Sequence, residues 1–334
     1  MSSYSIPGRK ASCFRGPELG YNRIMTEKKR IAVIGAGPAG YTAAKELLQN
    51  GFAVDIYEKE AELGGAVYTG IPVFRMPKQF LQKEYRTLQE LGCGFRFGCR
   101  VDREMFARLR ESYDGILAAI GAQVENTFGF VPGNGVAAGL TLLYDLNILH
   151  RAEAYAGYRN AIVWGGGNVA MDCARSLIRI VPEVTVVYRR SEKEMPANAK
   201  EINDARKEGV QFAFLTNIKE IARDDTGAVT AVWVIHMSLG EPDESGRASF
   251  HEIPGSEETI PADLVVMAIG QKVDFTVLAD DLQITAGHMT NIENVWTAGD
   301  AWTGPKTIGA AVQDGRAAAR EIIAAFAEGG ESNA

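Results

Sequence analysis

The chain has 334 residues, which is enough for two domains of ordinary size. Its 36 glycines and 12 prolines lack the pattern of collagen or of a disordered tail, and 46% hydrophobic with 23% charged residues is a globular composition. A net charge of −7 argues against a nucleic-acid partner, and no apolar run is long enough to span a bilayer, so we expect neither nucleic-acid binding nor membrane insertion.

Cysteine spacing argues against several redox and metal sites. Cys13, Cys93, Cys99 and Cys173 include no C-x-x-C pair, so we expect no disulfide framework, no zinc site and no dithiol centre of the disulfide-reductase kind. The four histidines are scattered and are interpreted as structural or solvated. We therefore expect no metal site, and a reducing cytoplasm is the predicted location.

The N-terminal part begins with a predicted arm and continues as a strand, a helix and a strand. Residues 1–29 are polar and without period, and Met25 leaves open a later physiological start than residue 1. Residues 31–34 are continuously apolar, as in a strand buried on both faces of a parallel sheet, and a helix over 40–50 and a strand over 52–57 follow.

A glycine motif, GAGPAG, joins the first strand to the first helix at 35–40. In such a turn Gly35 permits the tight bend, Gly37 lets backbone approach a pyrophosphate, and Gly40 lets helix and strand pack closely. Glu58 ends the next strand, where a carboxylate can accept hydrogen bonds from ribose hydroxyls. The motif in this setting predicts a nucleotide site.

The same pattern returns in the middle of the chain. After an apolar strand over 115–120 that ends in Gly121 and a Gly-rich connection over 129–139, strands over 161–164 and 184–187 flank a helix over 170–180. The turn at 165–170 reads GGGNVA, a G-x-G-x-x-A variant, and the second strand ends in Arg189 and Arg190 instead of an acid. Guanidinium groups pair with a ribose 2′-phosphate, which favours NADP(H) over NAD(H), although two arginines at a solvated strand end remain an alternative.

The C-terminal part adds strands over 229–237, a polar turn region over 240–258 and an apolar strand over 264–269 that ends in Gly270. The sequence TAGD at 297–300 precedes a Gly-rich stretch and a closing helix over 307–326. Asp300 at a strand end can accept hydrogen bonds from a polyol, and the helix N-terminus at Thr307 and Ile308 can face an electron-rich ring edge. Gly121 and Gly270 are interpreted as points where backbone approaches a cofactor, or as ordinary strand-end glycines.

These motifs together resemble the small (beta) subunit of glutamate synthase. The resemblance also extends to the NADP-binding subunit of electron-bifurcating ferredoxin:NADP transhydrogenase and to the N-terminal module of dihydropyrimidine dehydrogenase. It covers about residues 30–326. The matching segments are VIGAGPAG (33–40), the strand end at Glu58, LGG (63–65), GIPVFRMP (70–77), GGGNVAMDCAR (165–175), YRRSEKEMP (188–196), AIGQ (268–271) and TAGD (297–300).

The resemblance implies an α/β fold of two Rossmann-like dinucleotide-binding domains, with the NAD(P)H domain inserted in a discontinuous FAD domain. The implied division is an arm at 1–29, FAD-binding parts at 30–150 and 265–326, an NAD(P)H-binding part at 155–264 and a tail at 327–334. The implied FAD residues are Gly35, Gly37, Pro38, Ala39, Gly40, Glu58, Lys59, Gly64, Gly65, Arg75, Val101, Gly121, Gly299, Asp300, Thr307 and Ile308. Those implied for NAD(P)H, with NADP(H) preferred, are Gly165, Gly167, Asn168, Val169, Arg189, Arg190, Gly270 and Gln271.

The resemblance also implies an activity and a partner. Hydride transfer between NAD(P)H and FAD needs stacked rings instead of a catalytic side chain, so no catalytic residue is assigned. Relatives generally begin with a cysteine-rich iron-sulfur domain, whereas Cys13 alone precedes the first strand here. We therefore expect an oxidoreductase subunit that exchanges electrons with an iron-sulfur or second flavin subunit. A stand-alone diaphorase or ferredoxin-NADP reductase type of enzyme and a non-catalytic subunit are the alternatives.

Overall fold

Strands and helices alternate over most of the chain. The computed structural model describes residues 28–242 and 248–331. The first elements are β1 (Arg30–Ile34), α1 (Pro38–Gln49), β2 (Ala53–Tyr57), α2 (Ala66–Thr69), α3 (Gln79–Glu90), β3 (Gly94–Arg96), α4 (Arg103–Ser112), β4 (Gly115–Ala118), β5 (Val124–Glu125), β6 (Val136–Ala138) and α5 (Gly139–Asn147). They are followed by β7 (Asn160–Trp164), α6 (Asn168–Leu177), β8 (Glu183–Tyr188), α7 (Ala199–Lys207), β9 (Gln211–Phe214), β10 (Thr216–Arg223), β11 (Val229–Pro242), β12 (Ala248–Glu252), β13 (Glu258–Pro261), β14 (Leu264–Met267), β15 (Gln271–Lys272), β16 (Val295–Thr297), α8 (Asp300–Thr303) and α9 (Ile308–Glu331). Short 3₁₀ turns lie at Ala152–Ala154, Glu192–Glu194 and Phe275–Val277.

Two five-stranded parallel sheets form the framework. The first has the order β16-β4-β1-β2-β3 and the second the order β6-β14-β7-β8-β9, with every neighbouring pair parallel. The two sheets have the same order of strands except at one edge. The edge strand next to β4 is β16, which comes last in the chain, whereas the edge strand next to β14 is β6, which comes before the other strands of its sheet. The predicted α/β class with two Rossmann-like units is confirmed.

The apolar runs form these strands because both faces of each sheet are covered. In β1, Ile31 and Val33 enter one buried cluster, whereas Ala32 and Ile34 enter another on the opposite face. In β7, Ala161 and Val163 likewise face one cluster, and Ile162 and Trp164 face another. A strand with two buried faces carries no polar alternation, which explains the continuous apolar sequence.

Two antiparallel additions complete the fold. Strands β10, β11, β12 and β13 form one small sheet, in which β11 pairs with each of the other three. Strand β12 lies inside the region predicted as a polar turn over 240–258, so that prediction is wrong there. The sequence predicts strand structure only to residue 237. In the structure β11 continues to Pro242, because its C-terminal end pairs with β12.

The second antiparallel pair is β5 with β15, in which Glu125 lies opposite Gln271 and Val124 opposite Lys272. These are the segments by which the chain passes from the first sheet to the second and back. Strand β6 pairs with β14 in the second sheet although it precedes residue 150. The division into domains stays a prediction, and the pairings favour a first boundary near β5 instead of near residue 150.

The predicted arm and tail both reach beyond the described residues. The arm predicted over 1–29, with Cys13 and Met25, lies outside the described residues apart from its last two positions. Helix α9 runs to Glu331 and so occupies most of the predicted tail, whose last three residues are also outside the described range. Within 28–242 and 248–331, no helix is both long and apolar enough to cross a membrane.

Candidate functional site

A cavity of about 970 Å³ opens where the strands of the first sheet end. It is lined by residues that directly follow β1, β2, β4 and β16, including Gly35, Glu58, Ala119 and Ala298. The carboxyl ends of parallel strands are where open α/β sheets bind ligands. Its volume is at the upper end of the range for small-molecule sites, as a dinucleotide would need.

The turn from β1 to α1 is built for close backbone approach. Gly35 has φ of +103°, and a Cβ at this position would lie 2.4 Å from the carbonyl oxygen of Ala119. A Cβ on Gly40 would lie 2.0 Å from the carbonyl oxygen of Gly35. Helix α1 starts after Gly37 with Pro38 in its first turn, and Gly37, Pro38 and Ala39 line the cavity, so the N-terminal end of the helix, which favours anions, borders it.

Glu58 is fixed by the turn that it faces. One carboxylate oxygen accepts a hydrogen bond from the backbone N–H of Ala36 (2.7 Å) and the other from that of Glu60 (2.8 Å). The side chain is buried yet lines the cavity. Each oxygen can accept a second hydrogen bond, so this carboxylate is placed to bind ribose hydroxyls of a nucleotide.

Most of the predicted FAD residues converge on this cavity. Those that line it are Gly35, Gly37, Pro38, Ala39, Glu58, Lys59, Gly65, Val101, Gly121, Gly299 and Asp300, together with Gln271 from the other predicted set. Gly40 and Gly64 lie just behind the wall, where a Cβ on Gly64 would meet Leu81 at 2.7 Å. Thr307 accepts from the backbone N–H of Ala310 and Ile308 begins α9, and neither lines the cavity.

The Gly299–Asp300 turn closes the cavity at the end of β16. Gly299 has φ of +68°, and its N–H donates to a carboxylate oxygen of Asp314 on α9. Asp300 accepts from the backbone N–H of Lys306 (3.1 Å). Burial raises the pKa of Asp300, and the neighbouring Asp314 adds to the rise. These two acids place negative charge close together beside the proposed polyol site.

Arg75 lies away from the cavity. Its guanidinium donates to Asp172 on α6 and forms an ion pair with Glu201 on α7 (3.3 Å). Burial raises the pKa of Asp172 to about 7 despite the opposing effect of Arg75, and the second carboxylate oxygen of Asp172 has no hydrogen-bond partner. Arg75 thus ties the 70–77 segment to the second unit and is not among the residues that line the cavity, and its predicted place near the flavin stays a prediction.

The second glycine turn repeats the first. Gly165 has φ of +146°, and a Cβ there would lie 2.1 Å from the carbonyl oxygen of Ala268, which follows β14 as Ala119 follows β4. Gly167 precedes α6, and the position of its missing Cβ is open. Asn168, next along, accepts from the backbone N–H of Asn198 (3.0 Å) and so holds the 191–198 segment against the turn. The next residue, Val169, is partly buried and packs against the buried cluster that contains Ala161 and Val163 of β7.

Arg189 and Arg190 lie at the end of β8 and differ in exposure. The Arg190 side chain is buried, and its Nε–H donates to the carbonyl oxygen of Ala248 on β12 (2.6 Å). Arg189 is half-buried. Both guanidinium groups lie over the ring of Phe250, at 4.4 Å for Arg189 and 4.9 Å for Arg190. Strand β12 therefore fixes both arginines at the edge of the second unit.

Several cavity residues were not found from the sequence. Glu125 on β5 lines the cavity and accepts from the backbone N–H of Leu140 at the start of α5 (2.6 Å). Tyr144 on the same helix lines it too and donates to Glu60 (3.0 Å). Burial raises the pKa of Glu125 although three backbone N–H groups oppose the shift. No local motif marks these residues, because they reach the cavity through the crossing of β5 to the second unit, next to Gly270 and Gln271.

Within 28–242 and 248–331, no three His, Cys, Asp or Glu side chains are grouped so as to hold a metal ion. The cysteines in that range, Cys93, Cys99 and Cys173, are all buried.

Comparison with known proteins gives a consistent picture. A family model described as pyridine nucleotide-disulphide oxidoreductase matches residues 29–315. The chain is 37% identical over 336 residues to "NADP(+)-dependent formate dehydrogenase subunit beta" of Moorella thermoacetica, over 96% of this chain and 46% of the relative. It is 33% identical to "NADPH-Fe(3+) oxidoreductase subunit beta" of Geobacter sulfurreducens, over 91% of this chain and 51% of the relative. It is 34% identical to a glutamate synthase (NADPH) small chain of Halomonas elongata, over 90% of this chain and 69% of the relative.

The chain thus spans about half the length of the first two relatives. Among solved structures, thioredoxin reductase of T. acidophilum has a TM-score of 0.62 at 17% identity, covering 90% of this chain and 99% of that one. Thioredoxin reductase of Lactococcus lactis has a TM-score of 0.63 at 20% identity, covering 90% of this chain and all of that one. At these identities the structural likeness defines the fold.

Proposed function

We propose that this chain, which belongs to the pyridine nucleotide-disulphide oxidoreductase family, is the NADPH-oxidising flavoprotein subunit of a larger redox complex. It is an FAD-dependent NAD(P)H oxidoreductase, and the resemblance to the glutamate synthase small subunit is confirmed. The observation that carries the proposal is the pair of glycine turns, one opening the large cavity and one repeated in the second sheet.

The first unit is proposed to bind FAD. The N-terminus of α1 and the turn at Gly35 and Gly37 would receive the pyrophosphate, and Glu58 would accept from the adenosine ribose. Asp300 would accept from the ribityl hydroxyls. When bound, FAD supplies the electron acceptor for a hydride and can release the two electrons separately. The residues of the chain would bind and orient the two cofactors.

The second unit is proposed to bind NADPH. The N-terminus of α6 after Gly167 would receive the pyrophosphate, with Asn168 and Val169 at its edge. Arg189 is the proposed contact for the 2′-phosphate, because it is the more exposed of the two arginines, and Arg190 is its support. Gly270 and Gln271 would lie between the cofactors, since the chain returns there to the first unit.

The proposed partner is an iron-sulfur or second flavin subunit. Three relatives carry names that describe them as a beta subunit or small chain of an NADP-linked enzyme. A hydride delivers two electrons at once, whereas iron-sulfur centres accept one at a time, so a flavin is the suitable intermediary between them. A cytoplasmic location stays a prediction.

The experiment begins with the purified chain. We expect a yellow protein with about one FAD per chain that loses its visible absorbance when NADPH is added without oxygen, and more slowly with NADH. A colourless protein that cannot be reconstituted with FAD would refute the proposal. The partner is tested by co-purification from the native source. A stable stoichiometric iron-sulfur protein supports the complex, whereas rapid reduction of soluble ferredoxin by the isolated chain supports the stand-alone alternative.

A further inference from the structure

A histidine buried between two carboxylates lies directly behind the Gly299–Asp300 turn. His288 is 4% exposed and lies in the loop that precedes β16. Its Nδ1 lies 2.8 Å from Oε1 of Glu321, and its Nε2 lies 3.1 Å from Oδ1 of Asp314. Both acids are on α9, two turns apart on one face. The backbone N–H of His288 also donates to Glu321 (3.0 Å).

With both carboxylates ionised, this geometry requires a protonated ring. An ionised carboxylate only accepts hydrogen bonds, so both ring nitrogens must donate, and an imidazole with two N–H groups is an imidazolium. Among the described residues, Asp314 and Glu321 are the charged groups that form ion pairs with this ring, and Trp302 stacks on it at 4.3 Å. Burial lowers the pKa of His288 and the two carboxylates raise it, with a net rise.

The contacts continue from the histidine to the cavity. The second oxygen of Asp314 accepts from the N–H of Gly299, whose positive φ begins the turn. The next residue, Asp300, lines the cavity, and the negative charge of Asp314 acts on it. Asp314 and Asp300 are half-buried acids that interact electrostatically at this turn, and His288 pairs with Asp314. The position of Asp314 therefore depends on the charge of His288.

We propose that His288 is a positioning residue, whose imidazolium holds Asp314 against the Gly299 amide and thereby fixes the Gly299–Asp300 turn for binding of FAD. This inference rests on the proposed function, because it assumes that the cavity holds FAD. It adds a residue that touches no cofactor and that carries no sequence motif. It also makes flavin binding dependent on a proton.

The direction of that dependence follows from the rise in the pKa of His288. The imidazolium persists to higher pH in the folded protein than in a free histidine and is lost as the pH rises through the raised pKa. Flavin affinity should therefore be highest below that pKa and fall as the pH rises through it. A variant with a neutral, non-titrating side chain at this position should have weak affinity throughout, without that fall.

The test measures FAD binding to apo-protein from pH 6.5 to about 9.5 by flavin fluorescence, for wild type, H288Q and H236Q. His236 is the matched control, since it also faces a carboxylate, Glu258 at 3.4 Å, but its side chain on β11 is 44% exposed. We expect H288Q to bind FAD about tenfold more weakly at pH 7 and H236Q to match wild type. An H288Q protein that binds as tightly as wild type, or that shows the same pH profile, would overturn the inference.

A second variant covers the case in which H288Q does not fold. D314N keeps an oxygen that can accept from Gly299 but removes the charge that pairs with His288, and it should likewise bind FAD more weakly with a flat pH profile. Affinity equal to wild type would overturn the inference. If wild-type protein itself binds no FAD at any pH, the proposed function has failed, and the two failures are thus distinguishable.

Discussion

Replacing Arg189 and Arg190 one at a time separates recognition of the 2′-phosphate from support of the strand that carries it. Arg189 is half-buried and its guanidinium lies over the ring of Phe250 at 4.4 Å, and it is the more exposed of the two arginines at the end of β8. A charge-assisted hydrogen bond contributes about 1.5–3 kcal/mol, so Arg189→Ala should weaken NADPH binding by about 10- to 100-fold. NADH lacks the 2′-phosphate, and its binding should stay unchanged.

Arg190→Ala should act mainly on stability. The substitution leaves the carbonyl oxygen of Ala248 without its donor and removes one guanidinium from Phe250. Loss of a partner by a buried polar group costs about 1–3 kcal/mol, which should appear as a lower free energy of unfolding in urea. NADPH and NADH should lose affinity by similar factors.

The assay is equilibrium binding of NADPH and NADH to each variant, with urea unfolding of the same samples. The ratio of the two dissociation constants is the decisive quantity, because it is insensitive to general loosening of the fold. If Arg189→Ala weakens both nucleotides equally, Arg189 does not read the phosphate. If Arg190→Ala changes the ratio and Arg189→Ala does not, the roles assigned from burial are reversed.

Three further substitutions test the turns and the buried charges. Gly35→Ala should destabilise the protein by more than Gly51→Ala. Both glycines have positive φ, which costs an alanine about 1–2 kcal/mol, but only at position 35 would the new Cβ lie 2.4 Å from a carbonyl oxygen. Equal losses of unfolding free energy in urea would contradict the turn geometry. Glu58→Gln should weaken FAD binding about tenfold, since an amide NH₂ would face one of two backbone N–H donors, and unchanged flavin content would be evidence against this role. Burial raises the pKa of Asp172 to about 7, so the native state binds a proton at this carboxyl more tightly than the unfolded chain does. The free energy of unfolding should therefore fall as the pH rises from about 4 to 7. Asp172→Asn should remove this pH dependence, and an unaltered dependence would assign it to another group.

Local sequence was sufficient where the structure depends on neighbours in the chain. The continuous apolar runs of β1 and β7 predict doubly covered strands, and the glycine turns follow from spacing alone. Pairing between distant segments was not readable in this way. The sequence gives no sign that β6 joins the second sheet through β14, or that β12 returns to β11 across a polar stretch.

The same limit applies to the site. Gly35, Glu58 and Asp300 were predicted because each stands at a strand end with a recognisable neighbour. Arg75 was predicted at the flavin from its motif, whereas its guanidinium pairs with acids on α6 and α7, which are far away in sequence. Glu125 was missed because its place on the cavity wall is set by β5 crossing to the second unit.

The pairing of β5 with β15 also bears on how such a chain can be assembled. Val124 and Lys272 lie opposite each other, and paired Cα atoms in antiparallel strands are about 4.5–5.5 Å apart. The chain therefore leaves and re-enters the first unit at adjacent positions, which a link of two or three residues would join. The segment between these positions has adjacent ends, as the predicted insertion of one domain into another requires.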